Sequence, residues 1–201
     1  LLFPRICCGY DPVYGEEIEP ETTESIHRKA RTRFGKDAAV LVLFSIPVPK
    51  DSSRDDLFDF LQQQGYLRVV IFGEVYRTDD PSAYRRKTIP ASVEVVQDRL
   101  NLNRKTRFLE AVERSLFLGR GEVTIADPDL DERMTLAAGW TNPETGVVLP
   151  EPTPNLFSFN HPLGACPECR GFGRVIGIDL DKAMPDKSLS IAEGLVRAFW
   201  G

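Results

Sequence analysis

The longest apolar run, Ala38–Val48 (AAVLVLFSIPV), is rich in branched and aromatic residues without strict alternation, which predicts a central strand buried on both faces. Before it, Ile26, Ala30 and Phe34 recur every four residues. Thr22 or Thr23 can cap that stretch and Gly35 can close it, so a helix is expected over Thr22–Phe34. After it, Leu57, Phe58 and Leu61 form the stripe of a helix over Asp51–Gln64. Ser53 is its cap, Asp56 sits at the capping-box position, and Gly65 allows the left-handed turn that ends it. Leu67–Phe72 reads as a strand, with Gly73–Tyr76 turning into a second. Ser92–Leu100 alternates like a half-buried strand. Arg104–Leu118 is the clearest helix: Asn103 is the expected cap, Phe108, Leu109, Val112 and Leu116 line one face, and Gly119 follows. Glu122–Ala126 and Arg133–Ala138 are two further strands around the turn at Asp127.

This pattern predicts one α+β unit over residues 21–139, a mixed β-sheet with about three helices. Residues 1–20 are rich in turn formers and show no period. Residues 78–90 form a polar loop. Residues 140–155 contain four prolines and read as a linker. The tail 176–201 is expected to end in a short helix.

Composition narrows the function classes. A chain of 201 residues forms one large or two small domains. Its net charge of -5 argues against a general nucleic-acid coat. The longest apolar run is too short to cross a bilayer. The chain opens on Leu1-Leu2-Phe3 without a Met and stops on Phe199-Trp200-Gly201, so it is expected to be a piece of a larger protein. The adjacent Cys7 and Cys8 predict a buried pair. With no secretory signal and a CxxC present, a reducing, cytoplasmic setting is expected.

No catalytic constellation can be assembled. Gly35-Lys36 lacks the earlier glycine and the following Ser or Thr of a phosphate-binding loop. The two histidines stand in unrelated contexts, and His27, beside Arg28 and Lys29, reads as a solvated surface side chain. Two basic groups offer an alternative, a DNA-contacting surface: Arg85, Arg86 and Lys87, and Arg104, Lys105 and Arg107. Short charge runs are ordinarily solvated faces.

The stretch 154–175 carries the most specific signal: Phe157-Ser158-Phe159-Asn160, then Cys166-Pro167-Glu168-Cys169, then Gly171-Phe172-Gly173. Two thiols at this spacing can grip one side of a zinc ion, but a closed zinc site takes four ligands. Turn formers on both sides do not suit a thioredoxin-type redox pair, which would open a helix. A DnaJ-type zinc repeat fits locally but needs several copies.

The order FSFN, PLGACPEC, GFG and SLSIAEG resembles the family of UvrA, the ATPase and damage-sensing subunit of the UvrABC excision nuclease. The similarity extends to Leu1–Ile6, to Gly65–Val69 with Gly73–Tyr76, and to Val95–Arg99, so it covers essentially the whole chain. It implies that residues 21–139 are the module that docks UvrB. The flanks 1–20 and 140–201 would belong to the first signature domain, an irregular and partly helical segment. The motifs for ATP and magnesium would lie outside this chain, so the chain itself would not be an enzyme. The parent would contact DNA and form a homodimer. The resemblance assigns UvrB contact to Arg68 and Arg99. It makes Cys166 and Cys169 metal-ligand candidates, with zinc as the one cofactor in view. Their partner cysteines are replaced by Asn142 and Thr145, and a further family CxxC by Asp11 and Tyr14.

Overall fold

A computed structural model describes residues 2–86, 88–174 and 177–196. Lys87 and the helix expected at the end of the tail lie outside the described residues. In chain order the elements are α1 (Phe3–Ile6), β1 (Gly9–Tyr10), β2 (Glu17–Ile18), α2 (Thr23–Phe34), β3 (Ala39–Pro47), α3 (Arg54–Gln63), β4 (Arg68–Ile71) and β5 (Glu74–Arg77). They continue as β6 (Ser92–Asn101), α4 (Lys105–Leu118), β7 (Glu122–Ala126), β8 (Arg133–Ala137) and α5 (Leu180–Ala183). The chain divides into two compact units, Cys8–Glu151 and Leu1–Cys7 with Pro152–Gly201.

The larger unit is α+β. Its six-stranded antiparallel sheet has the order β5-β4-β6-β3-β7-β8. β3 is interior, and both of its faces are covered, as its unbroken apolar run requires. Val40, Val42 and Phe44 pack on the helix side, and Leu41 and Leu43 on the other. α2 and α4 bury Ile26, Ala30, Phe108 and Val112 over one half of the sheet. α3 buries Leu57, Phe58 and Leu61 over the other half. A fully buried side chain of this size contributes about 1.5–3 kcal/mol, so these two clusters hold the sheet together. The second face carries a smaller cluster of Leu41, Leu43, Val70, Val96 and Ala126.

Local signals fix the helix ends. Ser53 and Asp56 form the expected capping box, and Gly65 takes a left-handed φ of 82°. Thr22 caps α2 in the same way with Ser25. Phe72 and Gly73, both at positive φ, make the two-residue turn between β4 and β5.

Several expectations are corrected. Asn103 does not cap α4: Arg104 holds that position without a side-chain cap bond, because Asn101 instead accepts from the Asn103 N–H and turns the chain there. His27 is buried, not solvated. Its Nε2–H donates to the Leu102 carbonyl at 3.0 Å and its ring packs on Phe108. Cys7 is half-buried and Cys8 exposed, so they are not a buried pair. The polar loop 78–90 has an anchor: Tyr84 is fully buried, donates to the Thr88 carbonyl, and meets Tyr76 edge-on. The stretch after Ala137 is no free linker. Thr141 bridges Val148, and Trp140 and Leu149 lie so close to Gly9 that a Cβ there would stand 2.7 Å from Leu149.

In the smaller unit the ring of Phe3 stacks on that of Phe157. A Cβ at Gly164 would clash with three carbonyls of Asn155–Ser158, and one at Gly171 with the Phe159 carbonyl. The glycines of this motif are thus what lets the FSFN turn and the CxxC turn lie against each other.

Candidate interaction site

The two arginines named by the resemblance begin on different strands, Arg68 on β4 and Arg99 on β6. Side chains alternate along a strand, so face follows from parity. Val69 and Ile71 are on the helix side, which puts Arg68 with Val70 on the second face. On β6, Val93 and Val95 are on the helix side, and uninterrupted alternation would put Arg99 there too. The ladder to β3 shifts, however: Val42 pairs with Asp98 and Leu43 with Val96, leaving Gln97 as an extra residue. This bulge reverses the parity. Leu100 then faces the helices, and Arg99, opposite Leu41, shares the second face with Arg68.

β4 pairs with β6 only at Val69–Val95 and Val70–Glu94. Beyond that point the two chains part, leaving a cleft of about 310 Å³ lined by Arg68, Gln97, Asp98, Arg99 and Arg107. An adjoining hollow of about 290 Å³ shares Arg99 and Arg107 and adds Arg104. Among the described residues, Arg68, Arg99 and Arg104 lie within ion-pair distance of no carboxylate. Arg107 is engaged, its Nε and Nη2 donating to the two oxygens of Asp98 at 2.6 and 2.8 Å. The Gln97 side-chain oxygen is buried with no hydrogen-bond partner. Guanidinium groups such as Arg68 and Arg99, on one cleft with no carboxylate of their own, suit planar, bidentate recognition of acidic groups on another molecule.

The remaining basic side chains of the two groups are arranged differently. Arg86 lies over the Phe72 ring and 3.8 Å from Glu74, and Lys105 pairs with Glu24. Arg85 is exposed. Arg107 of the second cluster belongs to the cleft with Arg68 and Arg99.

The metal-ligand candidates Cys166 and Cys169, and the positions where family cysteines are replaced, fall on three turns of one design. In the first, the Val13 and Tyr14 N–H groups donate to the Asp11 carboxylate, and the N–H of Gly15 (φ 72°) donates to the Asp11 carbonyl. In the second, the Glu144 and Thr145 N–H groups donate to the Asn142 side-chain oxygen, and the N–H of Gly146 (φ 73°) donates to the Asn142 carbonyl. In the third, the N–H of Arg170 (φ 50°) donates to the Cys166 carbonyl, and the Cys169 and Glu168 N–H groups act on the Cys166 thiol to lower its pKa. A side-chain oxygen stands in the first two turns where sulfur stands in the third.

The first two turns are bonded to each other. Thr145 Oγ1 donates to Asp11 Oδ2 at 2.6 Å, and Asn142 Nδ2 donates to Asp11 at 3.3 Å and to Glu16 at 3.1 Å. Asp11 is 1% exposed and Asn142 7%. The Thr145 hydroxyl, then the Val13 and Tyr14 N–H groups and Asn142, hold the Asp11 carboxyl below its ordinary range against the opposing effect of burial. Asn142 and Thr145 are thus engaged by Asp11, Glu16 and the backbone of their own turn. The donors present do not fit a closed zinc site. Cys166 and Cys169 supply two thiols, and among the described residues no cluster of three or more His, Cys, Asp or Glu side chains is placed to hold a metal. Hydrogen bonds from the Cys169 and Glu168 N–H groups and the Cys169 side chain draw the exposed Cys166 thiol below its usual value. Hydrogen bonding and charge from Glu17 raise that of Cys8.

Sequence reasoning missed Gln97, Asp98 and the Asp11–Asn142 cluster. The cluster had a signal, the shared spacing Asp-Pro-x-x-Gly and Asn-Pro-x-x-Gly. The bulge at Gln97 had none.

Residues 22–129 match the family model described as the UvrA interaction domain. The chain is 28% identical over 198 residues to the UvrABC system protein A of Listeria monocytogenes serotype 4b, covering 98% of this chain and 20% of the relative. It is 30% identical over 204 residues to that of Staphylococcus aureus, covering 98% and 21%. For the Clostridium acetobutylicum protein the figures are 30% over 203 residues, 100% and 21%. The chain therefore spans about a fifth of the length of the curated relatives it matches. Among the described residues no helix is long and apolar enough to cross a membrane.

Proposed function

Because the chain belongs to the UvrA interaction domain family, we propose that it is the docking segment of a UvrA-like nucleotide excision repair protein and binds a UvrB-like partner through Arg68 and Arg99. The observation that carries this reading is the cleft itself. A β-bulge turns Arg99 to the face of Arg68, and neither guanidinium has a carboxylate of its own among the described residues. The partner surface would be acidic, each arginine taking a carboxylate in a two-pronged hydrogen bond. Such pairs suit an interface that must be specific and still release.

The parent protein would supply ATP hydrolysis, magnesium binding, DNA contact and dimerisation from parts outside these residues, acting in the cytoplasm. Zinc is not needed for the proposed docking, since the cleft contains neither Cys166 nor Cys169.

Binding of UvrB by calorimetry tests the assignment. Losing one partner of a desolvated charge pair costs about 2–5 kcal/mol, whereas a solvated surface pair is worth about 0–1 kcal/mol. Arg68→Gln and Arg99→Gln should each weaken UvrB binding by at least about 30-fold, the equivalent of about 2 kcal/mol. Unchanged affinity in both variants would show that these side chains do not carry the interface.

A further inference from the structure

The Arg107–Asp98 pair sits in the docking cleft but is closed on itself. Asp98 and Arg99 follow the bulge in succession and so point to opposite faces of β6, yet both line the cleft. The reason is that β4 starts at Arg68 and leaves the far part of β6 uncovered on that side. The cleft therefore runs past the end of β4. Arg68 and Arg99 form its rim on the second face, and Asp98 and Arg107 its rim on the helix face. Arg107 reaches down from α4 and gives Asp98 two hydrogen bonds, and the Arg99 N–H gives a third. The Asp98 side chain is 21% exposed and that of Arg107 51%, so the pair is reachable from solvent.

We propose that Asp98 is an internal stand-in for the partner's carboxylate, occupying Arg107 in the free protein and opposing the acidic segment that enters between Arg68 and Arg99. The inference rests on the reading of this cleft as the docking site. It names the occupant's chemistry: a polypeptide segment with at least two carboxylates. Three guanidiniums against one aspartate leave two positive charges for it to match. A segment with a single carboxylate matches only part of that charge while Asp98 opposes its entry, which makes Asp98 a specificity-determining residue. All these groups border one cleft, and charges act on each other over roughly 8 Å at physiological salt.

The stand-in role has a signature that a structural role lacks. If the pair merely ties α4 to β6, removing either member disturbs the cleft and shifts affinity in one direction. If Asp98 competes, the two removals act with opposite sign. Asp98→Asn keeps the shape and the acceptor for the Arg99 N–H while freeing Arg107. It should tighten UvrB binding by about 3- to 10-fold. Arg107→Gln leaves the Asp98 charge uncompensated in the cleft and should weaken binding by a similar factor. The double variant should return close to the starting affinity. The measurement is a calorimetric titration of the intact protein with UvrB, with thermal midpoints recorded in parallel. Asp98→Ser takes the place of Asp98→Asn if the latter melts early. Same-direction shifts, or no shift in either variant, overturn the stand-in role. The docking reading is judged separately: if Arg68→Gln with Arg99→Gln leaves affinity intact, that reading fails whatever Asp98 does. If that pair loses binding while Asp98→Asn and Arg107→Gln leave it unmoved, only the stand-in role fails.

Discussion

The larger unit contains two polar sites built on opposite terms. Around Asp11 every group offered is taken: two backbone N–H groups, a hydroxyl and an amide converge on one buried carboxylate. Around Arg68 and Arg99 strong donors are left over, and a buried Gln97 oxygen has no partner. Both sites are rich in charge and hydrogen-bonding groups, so composition alone does not separate them. Saturation does. A satisfied buried network fixes the fold, since removing one member strands the others at about 1–3 kcal/mol per group. Unsatisfied arginines at a cleft add little to folding and keep their hydrogen bonds for another molecule.

The contrast predicts which quantity each substitution moves. The largest effect is expected from reversing both cleft arginines. Arg68→Glu with Arg99→Glu places two carboxylates opposite an acidic partner and should lower UvrB affinity by about 1,000-fold or more, read by calorimetry. Next comes Asp11→Ala, which strands the Thr145 hydroxyl and two N–H groups and leaves the Asn142 amide only Glu16. The thermal midpoint should fall by on the order of 10 °C, seen by circular dichroism.

Acid should sharpen the difference further. The Asp11 pKa is lowered in the folded state, chiefly by the Thr145 hydroxyl. Its stabilisation is therefore fully present above the unfolded carboxylate value of about 3.9, and is lost as pH falls from there through the lower folded value. Asp56 and Asp79 are lowered as well, by Ser53 and Arg77. The test is thus the difference between the wild-type chain and Asp11→Asn. Their midpoints should be well separated near pH 6 and converge only as the pH falls from about 3.9 through the lower folded value. Parallel curves would mean that Asp11 is not the titrating group.

The smallest effect is expected at the third turn. Cys166→Ser with Cys169→Ser replaces sulfur by the kind of atom that already serves in the first two turns. The melting of the Cys8–Glu151 unit should move by less than about 2 °C. In the wild-type chain, iodoacetamide should label the exposed Cys166 before Cys8, because the former thiol is shifted down and the latter up.

What the sequence disclosed follows the range of each interaction. The capping box of Ser53 and Asp56, the left-handed Gly65 and the interior strand β3 are encoded by near neighbours, and all could be read directly. His27 was misjudged on the charge of Arg28 and Lys29, although it shares the Ile26–Ala30 stripe that α2 buries. Tyr84 is held by Phe58, Tyr76 and Thr88, two of them from other elements, and nothing in its own loop marks it as core. The proposed site was half legible. The resemblance pointed to Arg68 and Arg99, but that they face the same way depends on one extra residue in β6. SVEVVQDRLN reads as ordinary alternation, and the bulge exists only in its pairing with β3. The link between Asp11 and Asn142 spans 131 residues and is likewise tertiary.

The most direct measurement takes UvrB affinity and thermal midpoint together on two variants, Arg68→Gln with Arg99→Gln and Asp11→Asn. The account predicts a double dissociation. The arginine variant loses binding with an unchanged midpoint. The Asp11 variant melts earlier, yet binds normally at a temperature where it is still folded. If affinity and midpoint fall together in either variant, the division of this unit into a saturated structural site and an open docking site is contradicted.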